Sequence, residues 1–256
     1  MRKRILLSTV LLLLAAGMAQ AEEGELGVTL DVSYWSKWLS KGAYGYGSHG
    51  GLFKTLDLDL YGTGFGLNIK HRNALSSGYV DKQRIDWRPY FKSQLFEDET
   101  YATRYNISVG YEHYTGLAHN VANTTYEWIL ALAWPNLIPE GIVPKYTAHY
   151  EYPAGSDYVH SDVTGWVHRF GLGYDLDVMD LPSPLSISGE IAYTDGIGGK
   201  AADSDWSYAS FGISTKFSLT DNLTFTPAVY HQITMEKTIN PDKDLTYCVL
   251  SMKYKF

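Results

Sequence analysis

The stretch that decides the fold is the last one, Asp244 to Phe256, which reads D-L-T-Y-C-V-L-S-M-K-Y-K-F. Thr246, Cys248, Leu250, Met252, Tyr254 and Phe256 fall on one face of an extended chain. Tyr247, Ser251, Lys253 and Lys255 fall on the other. A period of two is how a strand separates two environments. Here one face is apolar and ends in two aromatics, while the opposite face carries charge. This is the pattern of a membrane β-strand with lipid on one side and a wet lumen on the other.

The N-terminus predicts a matching compartment. Arg2, Lys3 and Arg4 precede an apolar run from Ile5 to Gly17, and Ala19-Gln20-Ala21 forms a small-x-small cleavage site. Residues 1–21 therefore read as a secretory signal peptide, too short in its apolar part to be a transmembrane anchor. Residues 22–256 form the mature domain. Cleavage removes three of the 21 basic residues and none of the 28 acidic ones, leaving 18 basic, 28 acidic and a net charge of −10. That balance carries no nucleic-acid footprint. The lone cysteine, Cys248, has no partner for an internal disulfide. No later segment is long and apolar enough for a membrane helix. The chain nevertheless contains 21 Tyr, 7 Trp and 24 Gly, a composition that suits a membrane barrel.

Working back from the C-terminus, the alternation repeats. Twelve strands are expected, at about 27–41, 52–61, 65–74, 83–95, 101–113, 124–134, 142–152, 163–176, 185–195, 205–217, 223–235 and 244–256. The fold class is all-β, a single closed antiparallel transmembrane β-barrel. An even count puts both termini on the periplasmic side. The connections alternate between short turns and longer Gly-, Ser-, Asp- and Asn-rich loops, the latter placed outside. The first outer loop, G-A-Y-G-Y-G-S-H-G-G at 42–51, is the most Gly-rich, and no outer loop looks long enough to plug the barrel. Trp38, Tyr61, Trp134, Tyr152 and Tyr254 are expected in the interfacial aromatic girdles.

Alternation also predicts the lining. Strand one sends Asp31, Ser33 and Lys37 inward, and strand two sends Asp57 and Asp59 inward against outward Leu56, Leu58 and Leu60. Strands three to five contribute Lys70, Arg72, Arg84, Arg88, Lys92 and Arg104. Later strands contribute Glu112, Glu127, Lys145, His149, Glu151, Arg169, Glu190, Lys216, Lys253 and Lys255. The candidate pore-lining and solute-binding set is Lys70, Arg72, Arg84, Arg88, Lys92, Arg104, Asp57, Asp59, Glu127, Glu151 and Glu190. In one reading a basic wall faces acidic groups across a narrow wet channel, and the charge sets solute selectivity. Arginine ladders would then favour anionic or hydroxylated solutes through bidentate contacts. In the other, paired charges fill a closed interior, as in many small barrels.

Enzymatic readings find little support. The His160-Ser161-Asp162 trio is adjacent in sequence, which is poor geometry for a triad, and Glu112-His113 before Tyr114-Thr115 reads as ordinary polar residues. The histidines follow no metal-ligand spacing, and the Gly-rich stretches follow no phosphate-loop pattern, so no cofactor and no metal is expected. Asp157, Asp162, Asp203 and Asp205 could hold divalent cations beside lipopolysaccharide, although ordinary solvated loops explain them equally well. The expected partners are outer-membrane lipid, lipopolysaccharide and a small hydrophilic solute. A lipid-modifying hydrolase and a closed structural or adhesive barrel are the alternatives to a channel.

Two resemblances add to this. The terminal Phe256 resembles the signature by which Gram-negative outer-membrane barrels are handed to their assembly machinery. The phrase V-T-L-D-V-S-Y-W-S-K-W-L-S-K-G at 28–42, G-T-G-F-G-L-N-I at 62–69, F-S-L-T-D-N-L-T-F-T-P-A-V-Y at 217–230 and the terminal K-Y-K-F resemble the TorF-type porins. Lys41-Gly42 stands where that group carries an Arg-Gly pair. The resemblance implies a barrel and a channel, without a substrate.

Overall fold

The computed structural model describes residues 24–47, 49–115, 124–154, 164–179, 181–197, 204–236 and 244–256. The signal segment 1–21, the His160-Ser161-Asp162 trio, Asp157 and Asp203 lie outside them. Among the described residues, twelve strands close into one antiparallel ring. They are β1 Gly27–Trp35, β2 Gly51–Asp59, β3 Phe65–Ala74, β4 Gln83–Leu95, β5 Thr103–Thr115 and β6 Thr125–Ala133. The second half comprises β7 Val143–Pro153, β8 Gly165–Leu176, β9 Leu185–Asp195, β10 Asp205–Ser214, β11 Leu223–Thr234 and β12 Leu245–Lys255. Each strand pairs with its sequence neighbours, and β12 pairs with β1 to complete the circle, from Thr29 opposite Lys255 to Trp35 opposite Val249. Closure leaves no open sheet edge, whose unpaired backbone groups a bilayer could not satisfy. Phe217–Ser218 is a short strand bonded to β11 outside the ring.

Local irregularities have chemical causes. Between β4 and β5 the ladder skips Arg88 and Pro89, and Pro89 has no N–H to donate. The register of β9 against β10 shifts between Ala192 and Tyr193, a bulge beside which the Ser207 hydroxyl donates to the Ala192 carbonyl. The β2–β3 turn needs left-handed backbone. Tyr61, Gly62 and Gly64 all have positive φ, and a Cβ on Gly64 would lie 2.4 Å from the Lys92 carbonyl oxygen. The Asp59 carboxylate accepts the Gly62 N–H at 3.1 Å and helps to fix that turn.

The burial pattern is the reverse of a water-soluble sheet protein. Trp87, Trp128, Trp166, Phe170, Leu172, Phe211, Ile213 and Leu250 are exposed, while Arg84, Asp86, Glu112, Glu127, Glu151 and Gln232 are buried. Lipid contact matches the outer belt, and water or charge pairing matches the interior. Cross-strand aromatics knit the exterior, with ring centroids 4.8 Å apart for Tyr150 and Trp166, 5.5 Å for Tyr126 and Tyr152, and 4.6 Å for Phe65 and Phe91.

One expectation is overturned at the first loop. Alternation predicts a first strand that runs to Lys41, but the strand stops at Trp35. The following residues form a small hairpin, Leu39–Ser40 against Ala43–Tyr44, that folds into the barrel instead of lying outside it. Lys37 is thereby off the β1 ladder. Trp38, expected in the interfacial girdle, is only 5% exposed and packs with Tyr46 and Phe53. A plug does not need a long loop here. The glycines permit the tight return, since Gly42 and Gly47 have φ of +85° and +57°, and a Cβ on Gly45 would lie 2.0 Å from the Trp38 ring. Apolar rings that would otherwise be wetted find an apolar wall inside.

Candidate functional site in the barrel lumen

The hairpin reaches across the lumen. Lys41 Nζ lies 3.1 Å from Glu127 Oε1 on β6 and pairs with Glu151 on β7. The Gln232 side-chain amide of β11 donates to the Gly42 carbonyl at 2.8 Å. A Cβ on Gly42 would lie 2.4 Å from the Tyr208 ring of β10, so only glycine permits this approach. Ser36 extends the ladder to β12, its N–H donating to the Cys248 carbonyl and its hydroxyl accepting the Cys248 N–H, both at 2.9 Å.

Beneath the hairpin the charged side chains of β3 to β7 form one connected network. Arg72 binds Asp86 at 2.5 Å, and Arg84 bridges Asp86 and Glu112 at 2.7 and 2.5 Å. Arg88 lies 2.6 Å from Glu127 and 3.5 Å from Glu112. His149 Nδ1 is 3.0 Å from Glu127, which fixes the ring's orientation. Arg72 and Arg84 also lie over the Trp38 ring, at 5.3 and 5.7 Å from its centroid. Ion pairs of this kind offset desolvation only when closely matched. The network therefore holds the hairpin and the wall in one register.

Of the expected lining residues, the structure gathers Lys70, Arg72, Arg84, Arg88 and Glu127 around a cavity of about 210 Å³ under the hairpin, with Glu151 behind Lys41. It does not bring the rest there. Asp57 accepts hydrogen bonds from Asn68 and the Tyr90 hydroxyl, and Asp59 pairs with Lys92 at 2.7 Å, nearer the short-turn end. Arg104 donates to Gln94 in the same region. There Lys92, Arg104 and Lys145 border a second cavity of about 660 Å³. Glu190 stands on the opposite wall, accepting from the Tyr208 hydroxyl at 3.0 Å with Arg169 at 3.8 Å. Along β1, β12 and β11 the lining is aromatic: Trp35 stacks on Tyr247 at 6.0 Å and Tyr247 on Tyr230 at 5.2 Å.

The sequence reading missed Lys41, Trp38, Tyr46 and Gln232 as interior groups. The usable signal was the glycine spacing at 42, 45 and 47 around aromatics, which fits a packed return as well as a surface loop. Among the described histidines, His149 meets Glu127, His113 meets Thr124, His168 meets Tyr146 and His231 meets Thr246.

No family model matches the sequence, and no curated relative does. Solved structures do match in fold. The chain is similar to the NanC porin, with a TM-score of 0.52 and 11% identity over 89% of this chain and 98% of that one. It is similar to an outer membrane channel from Pseudomonas putida F1, with a TM-score of 0.52 and 12% identity over 93% and 98%. It is also similar to outer membrane phospholipase A from Escherichia coli, with a TM-score of 0.50 and 12% identity over 93% and 96%. At this identity the likeness is one of fold, the antiparallel barrel of outer-membrane proteins.

Proposed function

We propose that this chain is an outer-membrane channel, narrowed by its first loop, for passive diffusion of small hydrophilic solutes. The observation that carries the reading is the lumen itself. A closed barrel with an apolar exterior places charged side chains along its interior, around a cavity of about 660 Å³ towards the short-turn end and one of about 210 Å³ at the hairpin. Solutes would move down their gradient, with selectivity set by the width at the hairpin and by the cations of β3 to β5. Those cations favour anionic solutes. On this reading the chain is a conduit and not an enzyme, and the phospholipase likeness concerns the scaffold. The outer belt would meet lipid and lipopolysaccharide, and the terminal Phe256 would be the handle for barrel assembly. Export would use the segment 1–21, and kinship with the TorF-type porins is part of the same proposal.

A second reading is favoured by a specific observation. The ion pairs of the network and the hairpin across the lumen also suit a closed barrel that acts through its outer loops. Single-channel recording of the refolded mature protein in a planar bilayer separates the two. Discrete, salt-dependent steps are expected of the channel. A folded but silent barrel would sink it, and release of fatty acid from phospholipid by that silent barrel would move the assignment to a hydrolase.

A further inference from the structure

We propose that the cavity beneath the hairpin is a binding site for a small organic monocarboxylate. This deepens the channel reading and rests on it only for how the anion reaches the site.

The first observation is charge. Six cations line the cavity, namely Lys41, Lys70, Arg72, Arg84, Arg88 and Arg169. The carboxylates that pair with them are Asp86, Glu112, Glu127, Glu151 and Glu190, five in number. One positive charge is left over. It belongs to Lys70, which lies opposite Asp86 in the β3–β4 ladder yet pairs with no carboxylate among the described residues. Asp86 is already bound by both Arg72 and Arg84, so this group of six cations and five carboxylates is one anion short.

The second observation is unused hydrogen-bonding capacity. The Nε atom of Arg88 is buried and has no hydrogen-bond partner among the described residues, and that of Arg169 is buried with Glu190 Oε1 at 3.8 Å, beyond hydrogen-bond reach. Both residues line the cavity. Guanidinium N–H groups are planar donors suited to a carboxylate, and the Lys70 ammonium would add a point charge.

The third is shape. At about 210 Å³ the cavity has room for roughly seven waters at ~30 Å³ each, enough for an acid of modest size. Trp35, Trp38 and Phe53 form part of its wall. A ligand with a single carboxylate and an apolar body meets both halves of this lining. An inorganic oxyanion meets only one half.

The test is isothermal calorimetry on the mature chain refolded in detergent, titrated with sodium benzoate and, separately, with sodium acetate and inorganic phosphate. Saturable one-to-one binding of benzoate is expected, at least about tenfold tighter than acetate, because only benzoate reaches the aromatic wall. Lys70→Gln should weaken benzoate by about tenfold or more, and Lys70→Arg should restore it. Absence of saturable benzoate binding overturns the proposal, as does an undiminished affinity in a folded Lys70→Gln protein. If Lys70→Gln does not refold, equal affinities for benzoate and acetate in the unaltered protein overturn it. Phosphate binding as tightly as benzoate overturns the monocarboxylate assignment. The titration needs no open channel. A protein that conducts without binding benzoate refutes the site alone, and one that binds without conducting refutes the channel alone.

Discussion

Lys41 and Glu151 lie 110 residues apart in sequence and form an ion pair inside the barrel. The pair ties the tip of an inward hairpin to the wall opposite its own root, with Glu127 as a second anchor. Lys41→Gln should therefore loosen the hairpin more than the barrel, because Glu127 keeps Arg88 and His149 as partners. The expected outcome in a planar bilayer is larger or noisier current steps with unchanged heat-modifiable migration on gels. Steps identical to those of the parent protein would show that the hairpin does not set the constriction.

Gly42 offers a steric route to the same question. A Cβ there would meet the Tyr208 ring at 2.4 Å, and the backbone has φ of +85°. Gly42→Val should expel the hairpin from its seat, at a cost of order 1–3 kcal/mol for the backbone strain alone. Raised accessibility of the Trp38 indole to an aqueous quencher would report it. Unchanged quenching would mean that the ring of Tyr208 yields instead.

Trp38 itself tests the aromatic seat. It packs against Tyr46 at 4.5 Å and Phe53 at 5.8 Å between ring centroids. Trp38→Ala should cost ~3–5 kcal/mol if that cluster contributes to the folded barrel as a core does. Urea unfolding in lipid vesicles measures it. A loss below about 1 kcal/mol would mean that the hairpin is a passenger, folding separately from the ring.

Arg88 tests the charge of the wall. Its guanidinium lies against Glu127 and Glu112, between outward Trp87 and Pro89. Arg88→Glu should shift the reversal potential in a salt gradient towards cations. An unchanged potential in a conducting protein would place Arg88 away from the ion path.

Leu58 tests the outer face. It sits on β2 with inward Asp57 and Asp59 as its neighbours, paired to Val28 and Leu67. Leu58→Arg should destabilise the barrel by ~2–4 kcal/mol if the site lies near the bilayer midplane. Parent-like stability in vesicles would put Leu58 at the interface instead.

Much of the ring was legible before any coordinates. Phe65–Ala74, Gln83–Leu95 and Leu185–Asp195 fall where alternation puts them, and the separation of Asp57 from Leu58 or Arg88 from Trp87 follows from period two alone. A lipid face and a charged face impose opposite demands on successive side chains, so each strand carries its own record. Residues 36–47 carry no such record. Three glycines among aromatic and polar residues satisfy the backbone of an outer loop as readily as that of an inward hairpin.

The sequence by itself determined most of the strands, the alternation of polar and apolar side chains along them, and that twelve such strands suit a closed barrel. These are local properties, fixed by the pleat and by the contrast between the two environments. Only the tertiary structure decided that Lys41 meets Glu127 and Glu151, that Trp38 is inside, and that Lys70 shares a cavity with Arg72, Arg84, Arg88 and Arg169. Those facts depend on distances across the ring between residues far apart in the chain. Alternation records the face of a side chain, and closure of the barrel alone sets what stands opposite it.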